Sequence, residues 1–460
     1  MQLPEDFIRE TRLVMGDQRF TRFMEAFDED APTSIRLNPR FSRSEECGVR
    51  SEESPVTDSM EGGSHNSQFS ILNSQFEEVP WCSEGFYLEG RPQFTFDPLF
   101  HAGCYYVQEA ASMFITHVLR RVTEGRFFCD ITGDVTKEPS LCYTLDLCAA
   151  PGGKSTAMRT VLPEGSVLVS NEPIPTRAQI LLENITKWGW PDCIVTNNYP
   201  RDFRKAKAKF DLILCDVPCS GEGMFRKDPN SISEWSLQNV EKCWRLQREI
   251  IADAWECLNP GGILIYSTCT YNTKENEENV RWILETYDAE ALTIPTDPSW
   301  NITGSLLEGF DAPVYRFIPG LTKSEGLFLA VLRKMSNEKL GMSNDDYHAH
   351  HDSASDSAYR SNHNFSLLIT NSSLKKLMPD LPQGDFSRVD LSYTDALKYL
   401  RGEALVLPPD APKGIVTVTY KGVSLGPVKN IGNRANNLYP KPWRIKTTHL
   451  PSTPVEILKR

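Results

Sequence analysis

A chain of 460 residues, 40% of them hydrophobic, is long enough for roughly two to four domains and a full core. With 49 basic against 61 acidic side chains its formal net charge is −12, which argues mildly against a nucleic-acid partner. It has no apolar run of membrane-spanning length, its acidic start at Pro4-Glu5-Asp6 lacks a signal-peptide pattern, and its twelve cysteines show no paired CxxC spacing. The expectation is a cytoplasmic protein with reduced thiols, no metal, no membrane contact and no need to be more than a monomer.

In chain order, residues 4–14 and 17–27 read as one or two short helices. Residues 41–76, rich in Ser and Glu with Gly62-Gly63, read as a variable insertion, and order returns at Val79-Pro80-Trp81. From about residue 95 to 335 strand and helix signals alternate, as in a parallel sheet with crossover helices. Strands are expected at 144–148, 166–170, 193–197, 210–215 and 262–267, and helices at 155–162, 175–188, 237–258 and 274–286. A closing pair at 291–295 and 326–333 would add an antiparallel hairpin, the methyltransferase variant of the doubly wound, Rossmann-like α/β fold. Residues 336–365 are Ser, Asn, Asp and His with hardly an apolar residue, and read as a disordered linker. The rest, 366–460, reads as a small β-rich domain with a hairpin at 416–420 and 423–425 turning on Lys421-Gly422. Its end is locally basic: from residue 412 on, nine Lys or Arg stand against one acid, Glu456, a distribution suited to phosphate contact.

Chemistry concentrates in three places. At TLDLCAAPGGKS (residues 144–155) a buried strand breaks into a glycine turn and then a helix. Gly152-Gly153 let the backbone approach a ligand, and the helix amino terminus favours an electron-rich group, so a nucleotide-like cofactor is expected there. A P-loop fails because Cys148 stands where its first glycine belongs, and a dinucleotide fingerprint fails because GxGxxG is absent. Glu172, at the end of the second strand, is placed to chelate ribose hydroxyls.

The second and third places each carry a cysteine just past an apolar run: Cys219 in FDLILCDVPCSGEG (210–223) and Cys269 in GGILIYSTCTYN (261–272). Carbon 5 of a pyrimidine is a poor nucleophile, and addition of a thiolate at carbon 6 activates it. Two thiols at neighbouring strand ends, beside a cofactor turn, therefore point to methyl transfer onto carbon 5. Asp216 can engage the amide-like edge of the ring, and either cysteine could be the nucleophile. Polar turn residues surround these two, whereas Cys47, Cys82, Cys104, Cys129, Cys142, Cys193, Cys215, Cys243 and Cys257 read as inert hydrophobes. Residues 221–228 read as a mobile loop with Arg226 and Lys227 available for phosphates. Trp235 and Trp244 could stack on bases, although tryptophans at helical spacing usually belong to the core.

These motifs, in fixed order, resemble the Nop/Sun group of RNA 5-methylcytosine methyltransferases, and within it the bacterial RsmF-type enzymes acting on small-subunit ribosomal RNA. The resemblance rests on DLCAAPGGKS (146–155), DVPCSGEGMFRKDP (216–229), LNPGGILIYSTCTYNTKENEENV (258–280), VPWC and RPQFTFDPLFHAG (79–82 and 91–103), and KGVSLGPVKNIGNRANNLYPKPWR (421–444). It implies a class I S-adenosylmethionine-dependent fold with an N-terminal RNA-binding region (1–94), a catalytic domain (95–335) and a C-terminal RNA-binding domain (366–460). It implies that Cys148, Ala149, Ala150, Pro151, Gly152, Gly153, Lys154, Glu172 and Asp216 bind S-adenosylmethionine. It also decides what the chemistry left open, making Cys269 the nucleophile and Cys219 the residue that helps release product, with Asp216 near the methyl donor and the base. The chain departs from the family after the third strand, where Tyr199 takes the place of an acid, with Asn198 and Asp202 adjacent. The partner implied is ribosomal RNA or the small subunit. A tRNA cytosine methyltransferase and a non-catalytic ribosome-assembly factor are the alternatives. A DNA methyltransferase is disfavoured by Cys269 in STCT, and an NAD-dependent dehydrogenase by the missing fingerprint.

Overall fold

A computed structural model describes residues 2–41, 70–71, 76–124, 142–335, 382, 384–447 and 449–459. Nearly all of the expected insertion and linker therefore lies outside the described residues, as do Cys47 and Cys129. Between its end residues Phe41 and Phe76, only Ser70–Ile71 of the insertion is described, as a short strand antiparallel to Leu458–Lys459. The chain divides into two compact units: described residues of Met1–Ser34, Val79–Tyr87 and Val107–Met378, and those of Ile35–Glu78, Leu88–Tyr106 and Pro379–Arg460.

The first unit is built on eight strands: β1 (Tyr143–Asp146), β2 (Val167–Asn171), β3 (Cys193–Thr196), β4 (Phe210–Asp216), β5 (Leu258–Thr268), β6 (Ala289–Ala291), β7 (Tyr315–Phe317) and β8 (Leu327–Lys334). Their order is β6-β8-β5-β4-β1-β2-β3, with β7 also on β8. β3, β2, β1, β4 and β5 run parallel. β8 is antiparallel to both β5 and β6, so the expected closing pair is present, with its first strand at Ala289–Ala291 rather than 291–295, forming the sheet edge, and with β7 intervening in the chain before β8. Parallel strands covered on both faces need apolar residues at almost every position. β4 meets that demand, with Leu212, Ile213, Leu214 and Cys215 fully buried between two apolar layers.

Helices α1 (Glu5–Glu25), α2 (Phe114–Glu124), α3 (Gly153–Val161), α4 (Pro175–Trp188), α5 (Pro200–Lys205), α6 (Pro229–Glu234), α7 (Leu237–Cys257) and α8 (Glu277–Thr286) complete the unit. Their ends follow local chemistry. α4 starts on Pro175 and stops at Gly189, which is left-handed at φ 71°. α7 is capped by the Ser236 side chain, which accepts from Asn239 N. α1 is two helical segments joined across Gly16 (φ 73°, ψ 160°), which accounts for the sequence reading of one or two helices. Its Phe7, Phe20 and Phe23 form an apolar cluster with Phe225, Trp235, Tyr271 and Ile318.

In the second unit β9 (Arg388–Asp390), β10 (Gly414–Tyr420), β11 (Val423–Asn430) and β12 (Ala435–Asn437) pair in that order beside α9 (Tyr393–Arg401). The β10–β11 hairpin turns on Lys421 (φ 51°) and Gly422 (φ 75°), with Tyr420 opposite Val423, as the sequence implies. In the same unit buried Asp97 accepts from Leu99 N (2.9 Å) and from the Tyr105 hydroxyl (2.7 Å), and burial pushes its carboxyl up to about 6.

One charged pair holds the interior of the first unit. Arg316 donates from Nε (2.6 Å) and Nη2 to the Glu277 carboxylate and from Nη1 to Tyr271 O (2.7 Å), with both side chains essentially out of solvent. Removing one partner strands the other charge, so Glu277→Ala is expected to lower unfolding free energy by about 3–5 kcal/mol in urea melts.

Candidate active site

The candidate residues gather at the carboxyl ends of β1, β2, β4 and β5, where open α/β sheets place their ligands. β1 ends at Asp146, and the chain turns through Leu147–Gly152 before α3 begins. Gly152 has φ +113°, a backbone region closed to most side chains, and the Ala150–Pro151 peptide is cis. Glu172 follows β2 directly and Asp216 closes β4. Cys219 and Cys269 lie just beyond β4 and β5.

Two buried carboxylate oxygens stand out. Asp146 accepts from Ser155 Oγ on Oδ2 (2.6 Å), while its buried Oδ1 has no hydrogen-bond partner. Glu172 accepts from Ile174 N on Oε1 (2.9 Å). Its Oε2 is buried without a hydrogen bond, and the half-exposed Arg177 guanidinium lies 3.3 Å away. A buried acceptor left unmade is costly, and such groups commonly mark ligand positions. The pair, beside a glycine turn and a helix amino terminus, fits a ligand bearing hydroxyl and ammonium donors. S-adenosylmethionine is such a ligand, its ribose diol suited to Glu172.

Burial pushes Asp146 up to about 7, helped by the charges of Asp216 and Glu172 against the opposing effects of Ser155 and Lys154. Sequence reasoning passed over Asp146 as a site residue. The signal was there: an acid closing a strand whose neighbours, Leu145 and Leu147, are apolar.

The two cysteines singled out in the sequence lie together. Cys219 Sγ and Cys269 Sγ are 3.2 Å apart, a thiol–thiol contact well beyond covalent length. The contact with Cys269, in which either sulfur can donate, and then burial, push the Cys219 thiol well above its ordinary value. Asp216 accepts from Lys154 Nζ on Oδ2 (2.8 Å) and from Ser267 Oγ on Oδ1 (2.6 Å). Burial opposes the Lys154 charge, but Asp216, together with Cys269 and Asp146, outweighs it and holds the ammonium above its ordinary pKa. The structure thus pairs Lys154, expected at the cofactor, with Asp216. Cys148 is half-buried and its thiol is held up by burial, while Ala149 and Gly152 are buried within the same turn.

Other expectations meet a different environment. The 221–228 segment is anchored: Phe225 is fully buried and Arg226 pairs with Glu325, both nearly inaccessible, and also donates to Ala26 O. Arg226 is thus spent internally, and Lys227 alone of the two faces solvent. Trp235 is a core residue whose indole N–H donates to Glu222 (3.0 Å). Trp244 is half-buried, with the cations of Arg248 and Lys274 over its ring. Tyr199 is 56% exposed with Arg201 over its ring, and Asp202 accepts from Tyr199 N. No group of His, Cys, Asp and Glu fit to hold a metal occurs among the described residues, and no described helix is long and apolar enough to cross a membrane.

Known proteins with this arrangement are identifiable. Residues 137–333 match the family model of 16S rRNA methyltransferase RsmB/F, residues 3–110 that of the N-terminal domain of 16S rRNA methyltransferase RsmF, and residues 386–445 that of the methyltransferase RsmF PUA domain. The ribosomal RNA small subunit methyltransferase F of Serratia proteamaculans is 32% identical over 338 residues, 72% of this chain and 63% of that protein. The protein of the same name from Cronobacter sakazakii is 35% identical over 57% of this chain and 52% of its own length, and that of Enterobacter sp. is 28% identical over 80% and 84%. The chain thus spans between about half and two thirds of the length of the first two relatives. Among solved structures, a methyltransferase homolog from Pyrococcus horikoshii (TM-score 0.51, 22% identity, 72% of this chain and all of that one) shares the fold. So does NSun6 from Pyrococcus horikoshii with SFG (TM-score 0.52, 19% identity, 72% and 98%).

The raised Asp146 sets a pH test. Its stabilising contribution is complete below the ordinary carboxyl value and is lost as pH rises through about 7, where a charge must be buried. Asp146→Asn should therefore melt higher than wild type at pH 8, with the difference shrinking or reversing at pH 5, in thermal scans of the unliganded protein.

Proposed function

Because the chain belongs to the RsmB/F family of 16S rRNA methyltransferases, we propose that it methylates carbon 5 of a cytosine in small-subunit ribosomal RNA through a covalent cysteine–RNA adduct. The observation that carries the reading is the contact of two thiols at the ends of adjacent strands, beside an Asp216 held by Lys154 and Ser267.

S-adenosylmethionine, held by the 147–153 turn with Glu172 and Asp146, supplies an electrophilic methyl group at this edge of the sheet. The chain's own residues do the rest. Cys269 Sγ adds to carbon 6 of the cytosine, making carbon 5 nucleophilic. Asp216, its carboxylate fixed by two donors, engages the N3–N4 edge, and the Lys154 ammonium offsets charge that shifts within the ring during addition. After transfer, Cys219 stands beside the adduct to promote loss of the carbon 5 proton, which expels Cys269 and restores the aromatic ring. A target within a helix must first leave its stack, at a cost of a few kcal/mol. The unit matched by the PUA model supplies phosphate contacts from its basic tail.

The test uses the full chain with S-adenosylmethionine and unmodified small subunits or their RNA. Cys219→Ala should accumulate a slow-migrating RNA-linked band on a denaturing gel, and Cys219→Ala/Cys269→Ala should lose it. Asp216→Asn should lower methyl transfer by about 100-fold or more. Methyl transfer by wild type with no adduct in Cys219→Ala would reject the assigned division of labour.

A further inference from the structure

Behind the two thiols lies a set of buried carboxylates that the reaction itself does not use. Glu222 stands in the Cys219 loop, and its Oε2 accepts from Tyr271 N (2.6 Å) and Asn272 N (3.1 Å), just past Cys269. Glu275 stands beyond Cys269, and its Oε2 accepts from Ser220 N (3.0 Å), the residue after Cys219, and from Gln247 Nε2 (2.7 Å). The Asn272 side-chain amide bridges the two, donating to Glu222 Oε1 (2.9 Å) and Glu275 Oε1 (2.8 Å). Gly223 N donates to Cys269 O (2.7 Å), and a Cβ at residue 223 would fall 2.7 Å from that same oxygen. The Ser220 and Thr270 hydroxyls meet at 3.0 Å.

Both acids are almost wholly buried, and no ion pair to either occurs among the described residues. Their acceptors are filled by amide, indole and hydroxyl donors. Burying two carboxylates within reach of each other without a cation is a poor way to gain stability. Burial, with Glu222 adding to it, pushes Glu275 up to about 7. What the arrangement does achieve is geometric, since each acid grips the backbone just past the opposite cysteine.

We infer that Glu222 and Glu275 are positioning residues, a reciprocal clamp that fixes the two cysteine loops against each other and so sets the thiol–thiol separation. The inference rests on the proposed function for its catalytic consequence but not for its geometry. Replacing either acid by Gln keeps the shape and puts an NH2 where only donors converge.

Two readouts test it on full-length Glu222→Gln and Glu275→Gln. The first needs no RNA. Diazenedicarboxamide takes the two thiol hydrogens, becoming the hydrazine and leaving a Cys219–Cys269 disulfide, whose rate of formation peptide mass spectrometry reports. The second is the kcat and KM of RNA methylation. Both variants should form the disulfide about tenfold more slowly and lose kcat with little change in KM. Should either fail to fold, Asn272→Ala, which leaves both acids in place but removes the bridging amide along with its contacts to Thr270 Oγ1 and Glu275 N, should show the same two effects in weaker form. Wild-type cross-linking rates in folded variants would overturn the clamp, whatever happens to kcat. Slowed cross-linking together with no methylation even by wild type would uphold the clamp and reject the proposed function.

Discussion

The site depends on one register. β4 and β5 pair in parallel with Ser267 opposite Asp216, and the pairing runs on past the strands through Val217 N to Ser267 O (3.1 Å). From that alignment Asp216 receives the Ser267 hydroxyl, and the two chains leave the sheet side by side carrying Cys219 and Cys269. A slip of one residue would turn every side chain of one strand to the opposite face. Asp216 would then point away from Lys154. Polar contacts at both ends of β4 oppose that slip, Asp211 accepting from Tyr143 N (2.9 Å) and Asn259 Nδ2 (2.8 Å) and Asp216 accepting from Ser267 Oγ, so the strand pairing and the chemistry are a single constraint.

Charge is used in two contrasting ways around this register. Arg316 and Glu277 neutralise each other away from solvent, a pairing that fixes α8 against the loop after Cys269. Glu222 and Glu275 are neutralised by no cation among the described residues and are held by uncharged N–H and O–H donors. The first arrangement locks elements together. The second keeps the Glu275 carboxylate within electrostatic reach of the Cys219 thiol, while Lys154, placed against Asp216, lies within reach of Cys269.

Most of the sheet was legible because parallel strands buried on both faces announce themselves as short apolar runs, and because Pro175, Gly189 and Lys421-Gly422 mark their turns by backbone chemistry. Cys219, Cys269 and Asp216 were legible because thiols and an acid among turn residues have few structural uses. The environment of Arg226 was not. Its neighbours GEGMFRKD look like a solvated loop, and nothing local says that Phe225 finds the rings of α1 or that Glu325 waits for the guanidinium. The clamp acids were invisible for the same reason. A buried Glu is recognised by its partners, and those lie some fifty positions away in the chain. Short β7 escaped because three residues are too few for a period to show.

The aromatic contacts of α1 carry a practical corollary. Phe7 meets Phe225 at 5.0 Å and Trp235 at 5.6 Å, and Phe23 meets Tyr271 at 4.9 Å, so the opening helix forms the back wall of both cysteine loops. Any gene truncation that trims these first residues to isolate a minimal catalytic fragment would expose a patch of rings and unseat the loops from behind. The boundary of the smallest stable fragment therefore cannot be drawn as one cut along the chain, because its parts are contiguous in space and discontinuous in sequence.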